Sequence, residues 1–349
     1  MRFLKYISIA TICALGTYFI LLRNNPYQEL NGKVFGTYYN IKIRTNEKNR
    51  ELPIKIKKEL DSINMEMSVF EPVSEINRIN ALTAQQKIEL SKDMSELLVA
   101  TQKIYKSTYG HFDPTVAPLV ELWGFGTAKQ NITPNYEQIQ NTLQHVGFNK
   151  IQLSNNNQTL SKSNDKITLN LSAIAKGYAV DRLANLLQQE GYKNFVIEIG
   201  GEVYTAGTKS ENISGWNIGI AQPIRDNYNV DNAAIIRLSD MAVATSGDYK
   251  NYYYKDNKRY SHTISPQTGY PVEHNLASVT VFDKSCMIAD AIATGIMAMG
   301  ETKGLYYANQ NKIPAFFFVR DNNNEITMIT SNEGKKLLDK LSIYPIKEN

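Results

Sequence analysis

Residues 168–201 read TLNLSAIAKGYAVDRLANLLQQEGYKNFVIEIGG, and this stretch contains the succession of strand and helix that indicates the fold class. Its first part, 168–181, predicts a strand that runs into the start of a helix. Ser172 is a candidate N-cap residue, and the helix is predicted to end at Gly191. The apolar segment 195–199 then predicts a buried strand that runs into a pair of glycines.

Helices and strands alternate irregularly on both sides of this stretch, which predicts a mixed α+β architecture. Residues 33–44 alternate in polarity and predict a strand, and residues 279–282 predict another, followed by a helix of small residues over about 287–299. Residues 315–319 and 326–330 predict a terminal hairpin. Apolar residues recur at helical spacing in two further segments, namely Ile56, Leu60, Ile63 and Met67, then Met94, Leu97, Leu98, Thr101, Ile104 and Tyr105.

The N-terminus differs in composition from the rest of the chain. Arg2 and Lys5 precede a mostly apolar run over 6–22, a pattern that predicts a secretion signal or a short membrane anchor. An uncleaved anchor is the favoured interpretation, because no small-x-small cleavage site follows the run. We therefore expect residues 1–25 to be a signal or an anchor in the inner (plasma) membrane. Residues 27–349 are expected to form one unit on the periplasmic, extracytoplasmic side, since no linker divides them.

The charge and cysteine content exclude several classes of function. The chain has 38 basic and 34 acidic residues and a formal net charge of +4, which is too small a surplus to indicate nucleic-acid binding. Cys13 lies in the apolar N-terminal run, so Cys286 is the single thiol of the folded part, and zinc sites built on cysteine pairs are excluded. With four histidines a His-rich site is not indicated either, and any metal is expected to be a hard cation held by oxygen.

The predicted helix of small residues contains Asp290 and Thr294, four residues apart, which places a carboxylate and a hydroxyl on one face. One interpretation is structural, because the helix dipole favours an acidic residue near its N-terminus and a threonine hydroxyl can bond back to the chain. The other is a magnesium site, because Mg²⁺ prefers oxygen ligands and retains waters or phosphates. The spacing alone leaves both interpretations open.

Lys176 lies one helical turn beyond the predicted strand-to-helix junction. Backbone amides at the start of a helix can bind an anion, and the lysine would add a positive charge there. The glycine-rich phosphate loop of nucleoside triphosphatases is absent. Without other support, Lys176 would be a solvated surface lysine.

His262 is the candidate general base. It lies in residues 260–271, which read YSHTISPQTGYP, about a dozen residues after the predicted strand-to-turn segment 245–249. Histidine changes its charge near neutral pH and can accept a proton. A structural histidine that braces the loop is the alternative.

Aromatic and acidic residues follow the second amphipathic helix. Residues 110–115 read GHFDPT, with Asp113 before the proline, and residues 122–126 read LWGFG. Aromatic side chains among glycines could line a pocket for a flat ring, although packing within the loop explains them equally well.

Taken together, these segments resemble the FAD:protein FMN transferase family, also called the ApbE family. The resemblance extends over nearly the whole chain after the N-terminal run, and its strength comes from eight motifs in the same order. These are GTYY (36–39), FEPVSEINRIN (70–80), GHFDPTVAPLVELWGFG (110–126), LNLSAIAKGYAVD (169–181), IEIGGEVYTAG (197–207), ATSGDY (244–249), YSHTISPQTGYPVEHNLASVTV (260–281) and ADAIATG (289–295).

The resemblance implies an Mg²⁺-dependent transferase that moves the FMN part of FAD onto a Thr or Ser hydroxyl of an acceptor protein and releases AMP. It also implies the α+β fold of this family, with the substrate FAD in a cleft. The acceptors would be exported flavoprotein subunits of electron-transfer complexes. Three alternatives remain, an FAD pyrophosphatase that gives FMN and AMP, a non-catalytic FAD-binding carrier, and an exported interaction protein.

Residue roles follow from the same resemblance. Asp290 and Thr294 match the Mg²⁺ ligands of the family, with the backbone carbonyl of Ala173 as a third oxygen. His262 matches the histidine proposed as base toward the acceptor hydroxyl. The positions that match FAD contacts are Phe70, His111, Phe112, Asp113, Lys176 and Ile264.

Two positions depart from the family pattern. Phe35 stands where the family usually has Met before Gly-Thr, so no FAD contact is expected there. Ser265 stands where the family usually has Asp before Pro-x-Thr-Gly, so no role for a carboxylate is expected at that point.

Overall fold

The computed structural model describes residues 26–84, 86–126, 133–223, 232–248, 252–255, 258–321, 323 and 325–340. The α-helices within these ranges are α1 (Leu52–Met67), α2 (Glu75–Asn80), α3 (Lys92–Ser107), α4 (Ala117–Leu122), α5 (Tyr136–Leu143), α6 (Ala175–Gln189), α7 (Cys286–Gln310) and α8 (Asn332–Lys340). Short 3-10 helices cover Pro114–Val116 and Phe148–Lys150. The strands are β1 (Tyr27–Val34), β2 (Thr37–Arg44), β3 (Lys87–Glu89), β4 (Ile151–Ser154), β5 (Thr159–Lys162), β6 (Phe195–Ile199), β7 (Glu202–Ala206), β8 (Thr208–Ser210), β9 (Ile213–Ser214), β10 (Trp216–Ala221), β11 (Asn232–Leu238), β12 (Met241–Gly247), β13 (Tyr252–Lys255), β14 (Lys258–Ser261), β15 (Leu276–Asp283), β16 (Ala315–Arg320) and β17 (Ile326–Thr330).

Eight strands form one sheet in the order β1-β2-β6-β7-β12-β15-β16-β17. Every neighbouring pair in this sheet is antiparallel. The sheet therefore connects an N-terminal hairpin to a C-terminal hairpin through strands from the middle of the chain. An antiparallel sheet combined with separate helices is the α+β arrangement that the sequence predicts.

One face of the sheet carries the main core of the molecule. Helices α6 and α7 contact strands of the sheet, and α1 and α3 pack against these two helices. In β6 the side chains of Phe195, Ile197 and Ile199 all point to this face and are fully buried. Alternate residues of a strand share a face, so every second position of each central strand contributes to the core.

The opposite face of the sheet is covered as well. Val243, Phe282, Phe316 and Phe318 form a second core there with residues of β10 and β11, and side chains of α8 pack against it. Because both faces of β16 are buried, its residues are apolar at successive positions and do not alternate.

Several predictions of elements are confirmed. The helical periodicities over 56–67 and 94–105 are the buried faces of α1 and α3. The helix of small residues is α7, and the non-helical φ of 80° at Gly300 kinks it directly after the predicted end. Strands β16 and β17 pair as the predicted terminal hairpin, and α8 follows them.

The prediction of a single strand over residues 33–44 is wrong. Strands β1 and β2 form a hairpin with Val34 paired to Thr37, so only two residues lie between them. Phe35 and Gly36 have φ values of 49° and 74°, the backbone conformation that a two-residue hairpin turn requires. A phenylalanine does not indicate such a turn, and this is why the polarity pattern appeared continuous.

The predicted strand before α6 is also wrong, because residues 167–171 form no strand. The Asn80 side chain takes the place of a neighbouring strand, since it accepts a hydrogen bond from the Leu169 amide (2.7 Å) and donates one to the Leu169 carbonyl (2.9 Å). Ser172 is not the N-cap either. Its hydroxyl donates to the Asn170 side chain (2.6 Å), and α6 begins at Ala175.

The first turns of α6 and α7 lie directly against each other. Gly177 makes this possible, because a Cβ atom there would lie 2.4 Å from the carbonyl oxygen of Cys286. One turn later, Asp181 caps α7 by accepting hydrogen bonds from the amides of Cys286 (2.8 Å) and Met287 (3.0 Å). These contacts fix the relative position of two helices that carry predicted site residues.

The predicted anchor, residues 1–25, and Tyr249 of the ATSGDY motif lie outside the described residues. In the part of the chain that the structure describes, no helix is both long enough and apolar enough to cross a membrane. The division into residues 1–25 and 27–349 stays a prediction.

Candidate active site

A cleft of about 810 Å³ lies beside the start of α6 and α7. All ten residues to which the sequence assigns a role line it. They are Phe70, His111, Phe112, Asp113, Ala173, Lys176, His262, Ile264, Asp290 and Thr294. Residues from five separate segments of the chain thus meet in one cavity.

Asp290 is the central acidic group of the cleft. Its Oδ2 accepts a hydrogen bond from the Gly177 amide (3.1 Å) and lies 3.5 Å from Nζ of Lys176. Burial raises the pKa of Asp290, and the Lys176 ammonium and the Gly177 amide oppose this rise. Both of these partners lie at Oδ2, whereas Oδ1 has no hydrogen bond from the described residues. Asp290 is therefore a buried carboxylate with one oxygen available to a ligand.

Thr294 lies one turn further along α7, on the same side as Asp290. Its Oγ1 lies 3.3 Å from Oγ of Ser246 on β12. Ala173, in the turn before α6, also lines the cleft. In a regular helix the Gly177 amide would donate to the carbonyl of Ala173, four residues before it. Here the Gly177 amide donates to Asp290 instead.

Glu202 lies beside Asp290 and was not predicted from the sequence. Only 3% of its surface is exposed, and its Oε1 lies 3.1 Å from Nζ of Lys176. Its Oε2 is buried and has no hydrogen-bond partner in the described part of the chain. Burial and the negative charge of Asp290 raise the pKa of Glu202, and Lys176 opposes this rise. The available signal in the sequence was a carboxylate directly after the Gly200-Gly201 turn.

Lys176 is not the solvated surface lysine of the alternative interpretation. Its side chain is 28% exposed, and its ammonium lies between the carboxylates of Glu202 and Asp290. Burial disfavours the charged ammonium, but the two carboxylates outweigh burial and raise the pKa of Lys176. The ammonium is therefore held inside the cleft in its charged form.

His262 follows β14 directly and lines the cleft. Its ring packs edge-on against Phe125, with ring centroids 6.4 Å apart. Phe125 also packs against Tyr253 (5.1 Å), and Tyr253 stacks on Tyr260 (5.2 Å). The loop that carries the histidine is thus supported by a row of aromatic rings.

The two aromatic residues of the LWGFG segment have different roles. Phe125 lines the cleft, as a pocket for a flat ring would require. Trp123 is buried, and its indole N–H donates to the Gly269 carbonyl (2.7 Å), so it packs within the loops. The interpretation as a pocket for a flat ring therefore applies to Phe125, and the interpretation as loop packing applies to Trp123.

Phe70 and Phe112 lie at opposite depths of the cleft. Phe70 is 75% exposed and stands at the rim, whereas Phe112 is 1% exposed and belongs to the core. His111, next to Phe112, has a buried Nδ1 without a hydrogen-bond partner among the described residues. Burial and the charge of Lys303 lower the pKa of His111, which favours a neutral ring.

Asp113 uses both carboxylate oxygens within the fold. Oδ1 accepts hydrogen bonds from the amide (2.8 Å) and the hydroxyl (2.6 Å) of Thr115, and Oδ2 accepts one from the Phe148 amide (3.2 Å). Burial raises the pKa of Asp113, and the bonds from Thr115 and Phe148 oppose the rise. The carboxylate therefore holds the loop at the cleft.

The two departures from the family pattern lie in turns. Phe35 is in the β1–β2 turn and does not line the cleft. Ser265 begins the turn after His262, where its hydroxyl accepts a hydrogen bond from the Thr268 amide (3.3 Å). A serine can thus cap this turn as an aspartate would.

Within the described residues, no group of three or more His, Cys, Asp or Glu side chains could hold a metal ion. A site for a hard cation would instead combine different kinds of oxygen. The cleft offers the free Oδ1 of Asp290, the Thr294 hydroxyl and the Ala173 carbonyl. The unpartnered oxygen of Glu202 adds negative charge beside them. This donor set fits the all-oxygen, partly hydrated coordination that Mg²⁺ prefers.

Comparison with known proteins agrees with the geometry of the cleft. The sequence profile of the ApbE family matches residues 35–317. The FAD:protein FMN transferase of Vibrio cholerae is 38% identical over 295 residues, which are 83% of this chain and 87% of that protein. That of Haemophilus influenzae is 38% identical over 323 residues, 89% of this chain and 91% of that protein.

A solved structure extends the likeness to the fold. The structure of the flavin transferase ApbE from Vibrio cholerae matches with a TM-score of 0.80 at 36% identity, covering 89% of this chain and 98% of that chain. The chain belongs to the ApbE family. The predictions of this family, of its enzyme class and of a mixed α and β fold are confirmed. The individual roles of the ten cleft residues stay predictions.

Proposed function

We propose that this protein transfers the FMN part of FAD to a Thr or Ser hydroxyl of an acceptor protein, in a reaction that requires Mg²⁺ and releases AMP. The observation that carries the proposal is the convergence of Asp290, Thr294, Lys176 and His262 on one cleft. These side chains offer a carboxylate and a hydroxyl for a cation, a fixed ammonium for phosphate, and a base. Phosphoryl transfer depends on this combination of charge neutralisation and positioning.

The cleft has the size and the composition for a dinucleotide that contains two flat rings. Its volume of about 810 Å³ lies in the range of ligand pockets of about 300–1,000 Å³. Exposed Phe70 at the rim and Phe125 beside His262 offer aromatic faces in the cleft. The Lys176 ammonium lines the same cleft, where it would meet the pyrophosphate of FAD.

Asp290, Thr294 and the Ala173 carbonyl would hold the cation. Mg²⁺ bound there would neutralise the charge that develops on the pyrophosphate oxygens. Asp290 is suited to this because its Oδ2 is fixed by Gly177 and Lys176, while its Oδ1 has no hydrogen bond from the described residues. A carboxylate that is fixed before binding loses little freedom when it coordinates.

The reacting groups of the protein follow from this arrangement. The acceptor hydroxyl oxygen forms a bond to the FMN-side phosphorus of FAD, and the bond from that phosphorus to the bridging oxygen breaks. His262 takes the hydroxyl proton, and AMP leaves with the electron pair of the broken bond. Lys176 stabilises the negative charge on the phosphates.

The acceptor and the location are part of the proposal. We propose exported flavoprotein subunits of electron-transfer complexes as acceptors. Residues 1–25 would tether the protein to the inner membrane, with the cleft on the periplasmic side, because Arg2 and Lys5 precede the apolar run.

Replacing the central carboxylate tests the proposal. Asp290→Ala is expected to abolish Mg²⁺-dependent AMP release from FAD in the presence of acceptor, because the cation loses its only carboxylate ligand. The fold is expected to persist, since Lys176 retains Glu202 as a partner. The measurement is AMP release during an Mg²⁺ titration, with thermal unfolding of the same preparation.

Asp339→Ala, an exposed aspartate of α8, is the matched control and is expected to behave as the wild type. A wild-type rate and wild-type Mg²⁺ dependence in Asp290→Ala would remove Asp290 from the metal site. AMP release that proceeds equally with and without acceptor would support the FAD pyrophosphatase instead.

A further inference from the structure

We propose that Glu202 is a positioning residue whose carboxylate holds the Lys176 ammonium and thereby keeps Asp290 available to a divalent cation. This inference rests on the proposed function, because it takes Asp290 as a ligand of the Mg²⁺ that flavin transfer uses. Glu202 itself need not touch substrate or metal to have this effect.

The backbone fixes the Glu202 carboxylate in the cleft. Glu202 is the first residue of β7 and pairs with Ile199, the last residue of β6. Only Gly200 and Gly201 lie between them, with φ values of 62° and 105° in the left-handed region. A turn this short leaves the position of Glu202 little freedom, and its side chain is only 4% exposed.

Lys176 is shared unequally between two carboxylates. Its Nζ lies 3.1 Å from Oε1 of Glu202 and 3.5 Å from Oδ2 of Asp290. Buried charges are stable only when they are paired, and one ammonium cannot balance two carboxylates. When both carboxylates are ionised, the surplus negative charge favours a cation at the carboxylate that Lys176 holds less closely, which is Asp290.

Without the charge of Glu202, Lys176 would have Asp290 as its only carboxylate partner. The ammonium and the divalent cation would then compete for the same group, and cation binding would weaken. Groups that orient a metal ligand without touching the metal typically change metal affinity by about 10–100-fold. The expected effect of neutralising Glu202 is in this range.

The substitution Glu202→Gln isolates this effect. Glutamine keeps the shape and an acceptor oxygen for Lys176 but removes the charge. It breaks no other hydrogen bond in the described part of the chain, because Oε2 has no partner there. The double variant Glu202→Gln/Lys176→Met removes both charges, and so it removes the competitor as well. Glu198→Gln, an exposed glutamate on the adjacent β6, is the matched control.

The measurement is a titration with Mn²⁺, used as the spectroscopic substitute for Mg²⁺, followed by electron paramagnetic resonance without FAD. We expect the dissociation constant to rise about ten-fold or more in Glu202→Gln and to remain unchanged in Glu198→Gln. The double variant is expected to bind Mn²⁺ no more weakly than the wild type. If Glu202 has only a structural role, adding Lys176→Met to Glu202→Gln is expected not to restore the affinity for Mn²⁺.

The outcomes separate this inference from the proposed function. Unchanged Mn²⁺ affinity in Glu202→Gln would mean that Glu202 is neutral or inactive in the cleft. This result would overturn the inference, but it would not contradict FMN transfer by the wild type. Absence of Mn²⁺ binding to the wild type would overturn both. If Glu202→Gln does not fold, the double variant decides alone, and weaker binding than the wild type contradicts the inference.

Discussion

At the scale of single residues, the cleft is defined by charges that the fold has removed from water. Lys176 contacts both Asp290 and Glu202, and the pKa of each of these three groups is raised. The pair of Asp290 and Thr294 could be predicted because helical periodicity fixes their relative position. Glu202 could not be predicted, since it reaches Lys176 from a strand and no spacing along the chain relates the two.

Replacing His262 tests whether this residue is the general base. His262→Ala is expected to bind FAD as the wild type does, because the proposed cation donors and Lys176 lie on other elements. FMN transfer at saturating FAD is expected to fall by about 10²-fold or more, the effect of losing a positioned general base. FAD affinity, melting temperature and single-turnover transfer are measured on the same preparation.

The alternative role of His262 gives a different result. A histidine that only braces the loop predicts a lower melting temperature and weaker FAD binding, with turnover per bound FAD unchanged. His145→Ala, which replaces a histidine outside the cleft, is the control for a general effect of losing an imidazole. Unchanged single-turnover transfer in His262→Ala would exclude the catalytic role.

At the scale of elements, the loop of His262 is attached to the sheet through one buried carboxylate. Asp248, directly after β12, is 1% exposed and accepts hydrogen bonds from Arg259 of β14 (2.6 Å) and Arg320 of β16 (2.7 Å). Burial would raise the pKa of Asp248, but the hydrogen bonds and charges of Arg320 and Arg259 outweigh burial and lower it. Asp248 thus ties the β13–β14 hairpin to the end of the sheet.

The lowered pKa of Asp248 predicts how its stabilising contribution depends on pH. The unfolded pKa is about 3.9, and the folded pKa is lower, so the contribution is complete above about pH 4 and is lost as the pH falls through the folded pKa. Asp248→Asn is expected to lower the free energy of unfolding by about 3–5 kcal/mol at neutral pH. The difference from the wild type is expected to shrink below about pH 4.

Urea unfolding at neutral and at acidic pH measures this difference. Asp61→Asn, which removes an exposed charge paired with Lys57 on α1, is the control and is expected to change stability by less than about 1 kcal/mol. An equal loss at both pH values would show that the charge of Asp248 does not stabilise the hairpin.

The elements that could be predicted are those with a periodic pattern of buried residues. Helices α1 and α3 each present an apolar stripe to the core, so their sequence and their burial have the same period. The segment before α6 has no such period, because the Asn80 side chain supplies its backbone partners. A contact between residues about 90 positions apart leaves no local pattern, so the strand predicted there was wrong.

At the scale of the whole molecule, the antiparallel sheet is a scaffold buried on both faces. The helices on one face bring the starts of α6 and α7 together, and Gly177 and Asp181 determine how closely they approach. The cleft lies where these helices, the loop of residues 110–115 and the loop of His262 converge. The site is thus assembled by the fold, and only the resemblance to a family allowed its residues to be gathered from the sequence.

The periplasmic location of the folded part of the chain is also a prediction. With Arg2 and Lys5 on the cytoplasmic side, everything after residue 25 is expected to be translocated. Protease added to cells without an outer membrane should then digest the protein, while a cytoplasmic marker stays intact. Protection equal to that of the marker would contradict the periplasmic location.

The proposed reaction forms a covalent bond between FMN and an acceptor protein. The most direct measurement is the intact mass of an exported candidate acceptor after incubation with this protein, FAD and Mg²⁺. We expect the acceptor to gain the mass of one FMN less one water on a Thr or Ser, and we expect omission of Mg²⁺ or the Asp290→Ala substitution to prevent the gain. An unmodified acceptor, with FAD converted completely to FMN and AMP, would contradict it.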